Sequence, residues 1–254
     1  MGCFLVCVSQ WLNNKMRKGI YLLPNTVTLC GMFCGFYAIL ASFKHDWVFA
    51  AWAILAAVIF DGLDGWVARV THTTTKFGIE LDSLSDLVAF GVAPAVLIYS
   101  WGLQDFGRFG WGAAFFYVIC GALRLARYNV QMGSTESKAF TGLPIPGAAV
   151  MIATLVLFYS EVLGDLNGRS IMIFLLPFVL AALMVSTFRY HALKEITSRK
   201  RMPFRLLVAV VTALVLIFMN PEVVMFIFSI IYISSGIIEG TIMFYRKRRF
   251  TGSV

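Results

Sequence analysis

Four aspartates carry the chemistry this sequence offers. Phe60-Asp61-Gly62-Leu63-Asp64-Gly65 is followed by Asp82-Ser83-Leu84-Ser85-Asp86, with Asp61 and Asp64 three residues apart and Asp82 and Asp86 four. On a helix, either spacing puts two carboxylates on one face, a turn apart. Both pairs border long apolar runs, where an acidic residue is costly and usually functional. Four carboxylates at one membrane depth cannot all stay ionised without cations among them. Oxygen-only ligands suit hard divalent ions, Mg²⁺ and also Mn²⁺. Helix caps, or ion pairs with Arg69, Lys76 and Arg124, would account for one or two of these residues but not for four in register.

The residues between the pairs narrow the chemistry. Gly62, Gly65 and Ala68 keep the helix surface low, so a flat group can approach the backbone beside the carboxylates. Arg69 supplies a fork suited to phosphate oxygens. A loop from Thr71 to Lys76 adds hydroxyls and a cation, and Gly78 is expected to open the next helix. Carboxylate-held metal plus arginine beside a small-residue cleft describes a pyrophosphate site.

The elements that must hold these residues are membrane helices. Of 254 residues, 59% are apolar and 13% charged, and the mean hydropathy is +0.82. Soluble domains carry about 25% charged residues, so the composition excludes an ordinary cytosolic enzyme, a disordered chain and a disulfide-rich secreted module. A spanning helix takes about 20 residues. Apolar runs then predict an all-α polytopic protein of eight spans: 25–42, 48–69, 79–101, 110–130, 144–163, 170–188, 204–219 and 223–244. Residues 1–24 read as a cytoplasmic or interfacial segment, 25–190 as the catalytic unit, and 191–254 as a basic loop, two further spans and a basic tail. With no basic residue ahead of its first apolar run, the N-terminal stretch does not read as a cleaved signal peptide. It reads either as an interfacial helix over Phe4–Leu12 or as an extension ahead of Met16.

Basic residues set the orientation. With the N-terminus inside, 18 of the 21 Lys and Arg fall on the cytoplasmic side, leaving Lys44, Arg108 and Arg169 opposite. This is the positive-inside pattern of an integral plasma-membrane protein with both termini and the aspartates on the cytoplasmic side. The +8 charge thus reflects a face that meets anionic lipid, and no nucleic acid is expected. The cysteines, Cys30 and Cys34 included, read as small apolar residues. His45, His72 and His191 are scattered at span borders, and Trp47, Trp101 and Trp111 read as interface anchors.

Asp61-xx-Asp64-Gly65-xx-Ala68-Arg69, then eight residues, then Gly78-xxx-Asp82-xxx-Asp86 resembles the CDP-alcohol phosphotransferase signature at every fixed position. Leu23-Pro24-Asn25-Thr26, Gly121 to Asn129 and Phe140 to Pro146 are further similar to one branch of that family, the membrane-embedded phosphatidylserine synthases. The resemblance covers roughly residues 18–190. It implies a six-helix core, a homodimer and an active site open to the cytoplasmic leaflet. By the same similarity, Asp61 and Asp82 would bridge two divalent ions, Mg²⁺ or Mn²⁺, Asp64 would complete one site, and Asp86 would complete the other and act as base. Gly65, Ala68, Arg69, Thr75, Gly78 and the stretch Pro24, Asn25, Thr26 and Val27 would contact CDP-diacylglycerol. The implied reaction gives a phosphodiester lipid and CMP.

The acceptor alcohol rests on fewer residues. L-serine carries a carboxylate, and Arg124 and Arg127 stand one turn apart near the cytoplasmic end of the fourth span. Such residues rarely face lipid, and the competing reading makes them snorkelling anchors. Glycerol 3-phosphate and an inositol phosphate are the alternative acceptors. Two other classes fit these residues less well. A prenyltransferase needs two separated Asp-rich motifs, and only one bipartite cluster is present. A cation-coupled transporter should place its charges near the bilayer midplane on broken helices, whereas these aspartates crowd one end.

Overall fold

A computed structural model describes residues 22–71, 75–132, 142–163, 171–186 and 220–251, and these are helical throughout apart from short turns, with no strand among them. The helices are α1 (Leu22–Phe43), α2 (Trp47–Val70), α3 (Lys76–Phe106), α4 (Arg108–Met132), α5 (Ile145–Phe158, continued by a π turn at Tyr159–Leu163), α6 (Ile171–Val185) and α7 (Pro221–Thr251). Six of them, all but α6, are long and apolar enough to cross a membrane. The protein is therefore an all-α integral membrane protein. The expected span 204–219, the basic cluster at 199–205 and the Phe4–Leu12 helix lie outside the described residues.

Helices form here because lipid offers no partner to an open backbone group, so each span closes its own ladder. Their packing follows from small residues. Ala38, Ala41, Ala50, Ala51, Ala57, Ala89, Ala93, Ala148, Ala149 and Ala153 fill the interior, while Phe33, Phe43, Phe49, Ile59, Phe109 and Met172 point outward. Small residues at the seams let backbones approach where no hydrophobic effect drives them together. α1 packs chiefly on α2 and also along α3, α4 packs on α6, and α5 bridges α2 and α7.

Two local departures shape α3. Expected to begin at 79, it starts at Lys76, because the Thr75 hydroxyl accepts the Gly78 N–H at 3.0 Å and caps the first turn. Gly78 therefore sits inside that turn and does not open the helix. Immediately after Asp86 the chain widens into a π turn, Leu87–Val92, and a second π turn covers Tyr99–Leu103. Pro94 has no N–H for the Phe90 carbonyl four residues earlier. The buried Tyr117 hydroxyl of α4 donates to that carbonyl at 3.0 Å instead.

At the first π turn α1 crosses α3 with Gly35 against Ala89, where a β-carbon on Gly35 would fall 2.5 Å from the Ala89 Cα. Gly35→Val should therefore overpack this crossing by about 1–3 kcal/mol and lower the thermal unfolding midpoint in detergent. Gly112→Ala, whose β-carbon meets nothing within 4 Å, should leave the midpoint unchanged or higher.

Candidate metal and phosphate site

The C-terminal end of α2 and the N-terminal end of α3 bring the two aspartate pairs together. Asp61 and Asp64 project from the last three turns of α2, and Asp82 and Asp86 from the second half of the first α-helical segment of α3. Carboxylate oxygens of Asp61, Asp64 and Asp82 lie within 4.8 Å of one another. Asp86 lines the same small pocket, which is completed by Thr28, Gly31, Ala57, Ser85, Ala89 and Phe90. Asp64 is 6% exposed and is the one charged side chain fully buried among the described residues.

The donors fit a divalent cation on their chemistry alone. They are oxygens only, converge from two helices and carry negative charge that nothing else within the trio offsets. Beside them the surface is open: a β-carbon added at Gly62 or Gly65 would meet nothing within 4 Å. Arg69 turns back over this surface, its Nε donating to the Gly65 carbonyl at 2.8 Å, and its side chain is exposed.

The other expected contacts assemble around the same mouth. Pro24 is buried, Asn25 and Val27 are half-buried, and Thr26 is exposed, all in the first turns of α1. A β-carbon on Gly78 would lie 3.4 Å from the Asn25 side-chain oxygen and 3.2 Å from the Thr75 hydroxyl, so α1 and the start of α3 meet there. The Thr75 hydroxyl uses an acceptor lone pair on the helix cap. Ala68 is half-buried on α2. Arg124 of α4 is half-buried and interacts electrostatically with Asp86, whereas Arg127, one turn on, is exposed. The structure thus separates the two arginines.

Several residues at the site escaped the sequence reading. Thr28 hydrogen-bonds the Pro24 carbonyl at 3.0 Å and stands beside Asp64, and the Ser85 hydroxyl donates to the Thr28 carbonyl at 3.1 Å. Ser83 and Asn129 exchange bonds of 2.9 and 3.2 Å, tying α3 to α4. Serines alternating within Asp82-Ser83-Leu84-Ser85-Asp86 were the available signal for this polar bracing.

With this geometry in view, comparison with known proteins is specific. Residues 21–180 match the profile of the CDP-alcohol phosphatidyltransferase family. The chain is 40% identical over 221 residues, 87% of its length and 91% of the relative's, to the CDP-diacylglycerol–serine O-phosphatidyltransferase of Helicobacter pylori. It is 42% identical over 183 residues, 70% of its length and 73% of the relative's, to the archaetidylserine synthase of Methanothermobacter thermautotrophicus. A Methanocaldococcus jannaschii protein named CDP-diacylglycerol–serine O-phosphatidyltransferase is 36% identical over 177 residues, 69% of this chain and 76% of that one.

Purified protein should bind Mn²⁺ in a manner visible by electron paramagnetic resonance. Asp64→Asn should weaken that binding at least about 10-fold, the loss that outer-shell groups alone produce at metal sites. Asp46→Asn, at an exposed position with no side-chain cap bond, should bind Mn²⁺ as the parent protein does.

Proposed function

The chain belongs to the CDP-alcohol phosphatidyltransferase family, and we propose that it transfers the phosphatidyl group of CDP-diacylglycerol to L-serine, giving phosphatidylserine and CMP. It is an enzyme of phospholipid biosynthesis. The observation that carries this reading is the convergence of Asp61, Asp64 and Asp82 on one small pocket, lined also by Asp86, in a chain so similar to serine transferases. The relatives' names vary in the lipid, phosphatidyl or archaetidyl, and share serine.

Asp61, Asp64, Asp82 and Asp86 would hold two divalent ions, Mg²⁺ or Mn²⁺, which when bound supply charge neutralisation to the pyrophosphate and its leaving group. The chain's own residues do the rest. Asn25, Thr26, Val27, Thr75 and Gly78 line the entry for the CDP-lipid, with Pro24 shaping the backbone beneath them. Gly65 and Ala68 leave room for the nucleotide against the α2 backbone, and the free guanidinium edge of Arg69 pairs with phosphate oxygen. Asp86 accepts the serine hydroxyl proton as that oxygen bonds to the lipid-side phosphorus and the bond from phosphorus to CMP breaks. Arg124, beside Asp86, takes the serine carboxylate, an anion matched to its planar fork. Arg127 acts from the rim, where its exposed charge faces the acceptor's carboxylate as it enters.

The basic residues favour a cytoplasmic active site, with both termini on that side of the plasma membrane. A catalytic unit over residues 25–190 with the remaining 191–254 appended, and a homodimer, complete the reading.

Release of CMP from CDP-diacylglycerol should require both serine and Mg²⁺ or Mn²⁺. Labelled serine should outcompete glycerol 3-phosphate, and CMP release with glycerol 3-phosphate but not serine would overturn the acceptor. Asp86→Asn should lower kcat by about 10²–10⁴ with the fold intact by circular dichroism. Arg124→Ala should raise the serine KM about 10-fold or more, the worth of a hydrogen bond to a charged group, and leave the CDP-lipid KM near its parent value. Equal effects on both substrates would remove Arg124 from the acceptor pocket.

A further inference from the structure

Tyr232 lies on α7, beyond the residues 21–180 that match the family and far from the aspartate motif. α7 is docked antiparallel on α5 along one face. Phe226 stacks on Phe158 with ring centroids 4.7 Å apart, and the Ser229 and Thr154 hydroxyls are 3.2 Å apart in a buried hydrogen bond. The Tyr232 ring then lies so close to Gly147 that a β-carbon there would come within 3.1 Å of it. Positions 226, 229 and 232 recur at the helical spacing that keeps side chains on one face.

The same level of α5 also receives α4. Gly121, one turn before Arg124, abuts Ile145, two residues before Gly147. Arg124 from α4 and Tyr232 from α7 thus reach one layer of the bundle. There the half-buried phenol and the guanidinium interact, and the guanidinium also interacts with Asp86. Arginine carries only donors, so the phenol oxygen is the part of Tyr232 that can accept from it. A long side chain fixed at one corner loses less freedom when it pairs with a ligand.

We propose that Tyr232 is a positioning residue for acceptor selection: through Arg124 it makes the last helix one wall of the serine pocket. This rests on the reading, given above, that Arg124 receives the acceptor carboxylate. The phenol orients the guanidinium and does not touch the reacting atoms. Its loss therefore acts on acceptor binding and leaves donor binding alone.

The test is steady-state kinetics of the full chain in detergent with CDP-diacylglycerol, Mn²⁺ and serine, alongside thermal unfolding. Tyr232→Phe keeps the ring against Gly147 and removes the oxygen. It should raise the serine KM about 10-fold, leave the CDP-diacylglycerol KM and the unfolding midpoint within error, and add nothing in an Arg124→Ala background. Ser229→Ala, which loosens the docking of α7 without touching Arg124, should keep the parent serine KM. A serine KM within twofold of the parent in Tyr232→Phe, while Arg124→Ala raises it, would overturn the positioning role alone. An Arg124→Ala enzyme with an unchanged serine KM would overturn the reading beneath it. A rise in Ser229→Ala as large as in Tyr232→Phe would reduce Tyr232 to a packing residue and overturn the proposal.

Discussion

Mutual repulsion among Asp61, Asp64 and Asp82 is the interaction around which the rest of the bundle is arranged. Their oxygens lie within 4.8 Å of each other, and near the membrane little solvent screens like charges at that range. Such a cluster stays fully ionised only where positive charge is brought to it. That requirement explains a pocket small enough to hold ions and open enough at Gly62 and Gly65 to admit a phosphate. It also explains why Arg69 and Arg124 border the carboxylates from different helices. Divalent cations held by these carboxylates, together with the pyrophosphate they accompany, would offset this repulsion. Affinity for the donor is thereby built into the helix packing itself.

Holding charges in that arrangement places demands on backbone that a straight helix would not meet. The Gly35 and Ala89 crossing lets α1 lie against the π turn that follows Asp86, so Thr28 and Gly31 of α1 reach the pocket. The π turn and Pro94 together leave carbonyls without their usual partners, and Tyr117 supplies one for Phe90. Ser85 to the Thr28 carbonyl and Ser83 to Asn129 brace α3 against α1 and α4. Each bond is internal to the bundle, where lipid could not substitute for it. The polar residues around the site act as its rigging.

Much of this was legible in the residues, and what was not has physical causes. The register of Asp61 and Asp64 against Asp82 and Asp86 follows from helical periodicity, which apolar runs specify strongly when every backbone group must close its own hydrogen bonds. The start of α3 was misjudged because the cap at Thr75 depends on a local hydroxyl contact, which hydropathy does not register. The π turns were invisible because they answer to the packing of Gly35 and Tyr117, tens of residues away. Arg124 and Arg127 looked equivalent by spacing. Only the placement of α3 and α7 shows one turned toward Asp86 and the other left exposed.

The carboxylate cluster cannot by itself choose the acceptor, because it addresses the pyrophosphate, and that group is common to every CDP-linked donor. Discrimination among alcohols needs groups that meet the part of the acceptor remote from its hydroxyl. For serine that part is a carboxylate beside an ammonium, so a cation held at a fixed distance from the base is the simplest discriminator. Arg124 interacts electrostatically with Asp86 but stands on a different helix from the aspartates. α5 and α7 set that position through Ile145, Gly147 and Tyr232. A fold divided in this way can keep its donor chemistry fixed on α2 and α3 while acceptor preference shifts with side chains on α4 and α7. On the proposed roles of these residues, selectivity and catalysis would be separable because they would reside on separate helices.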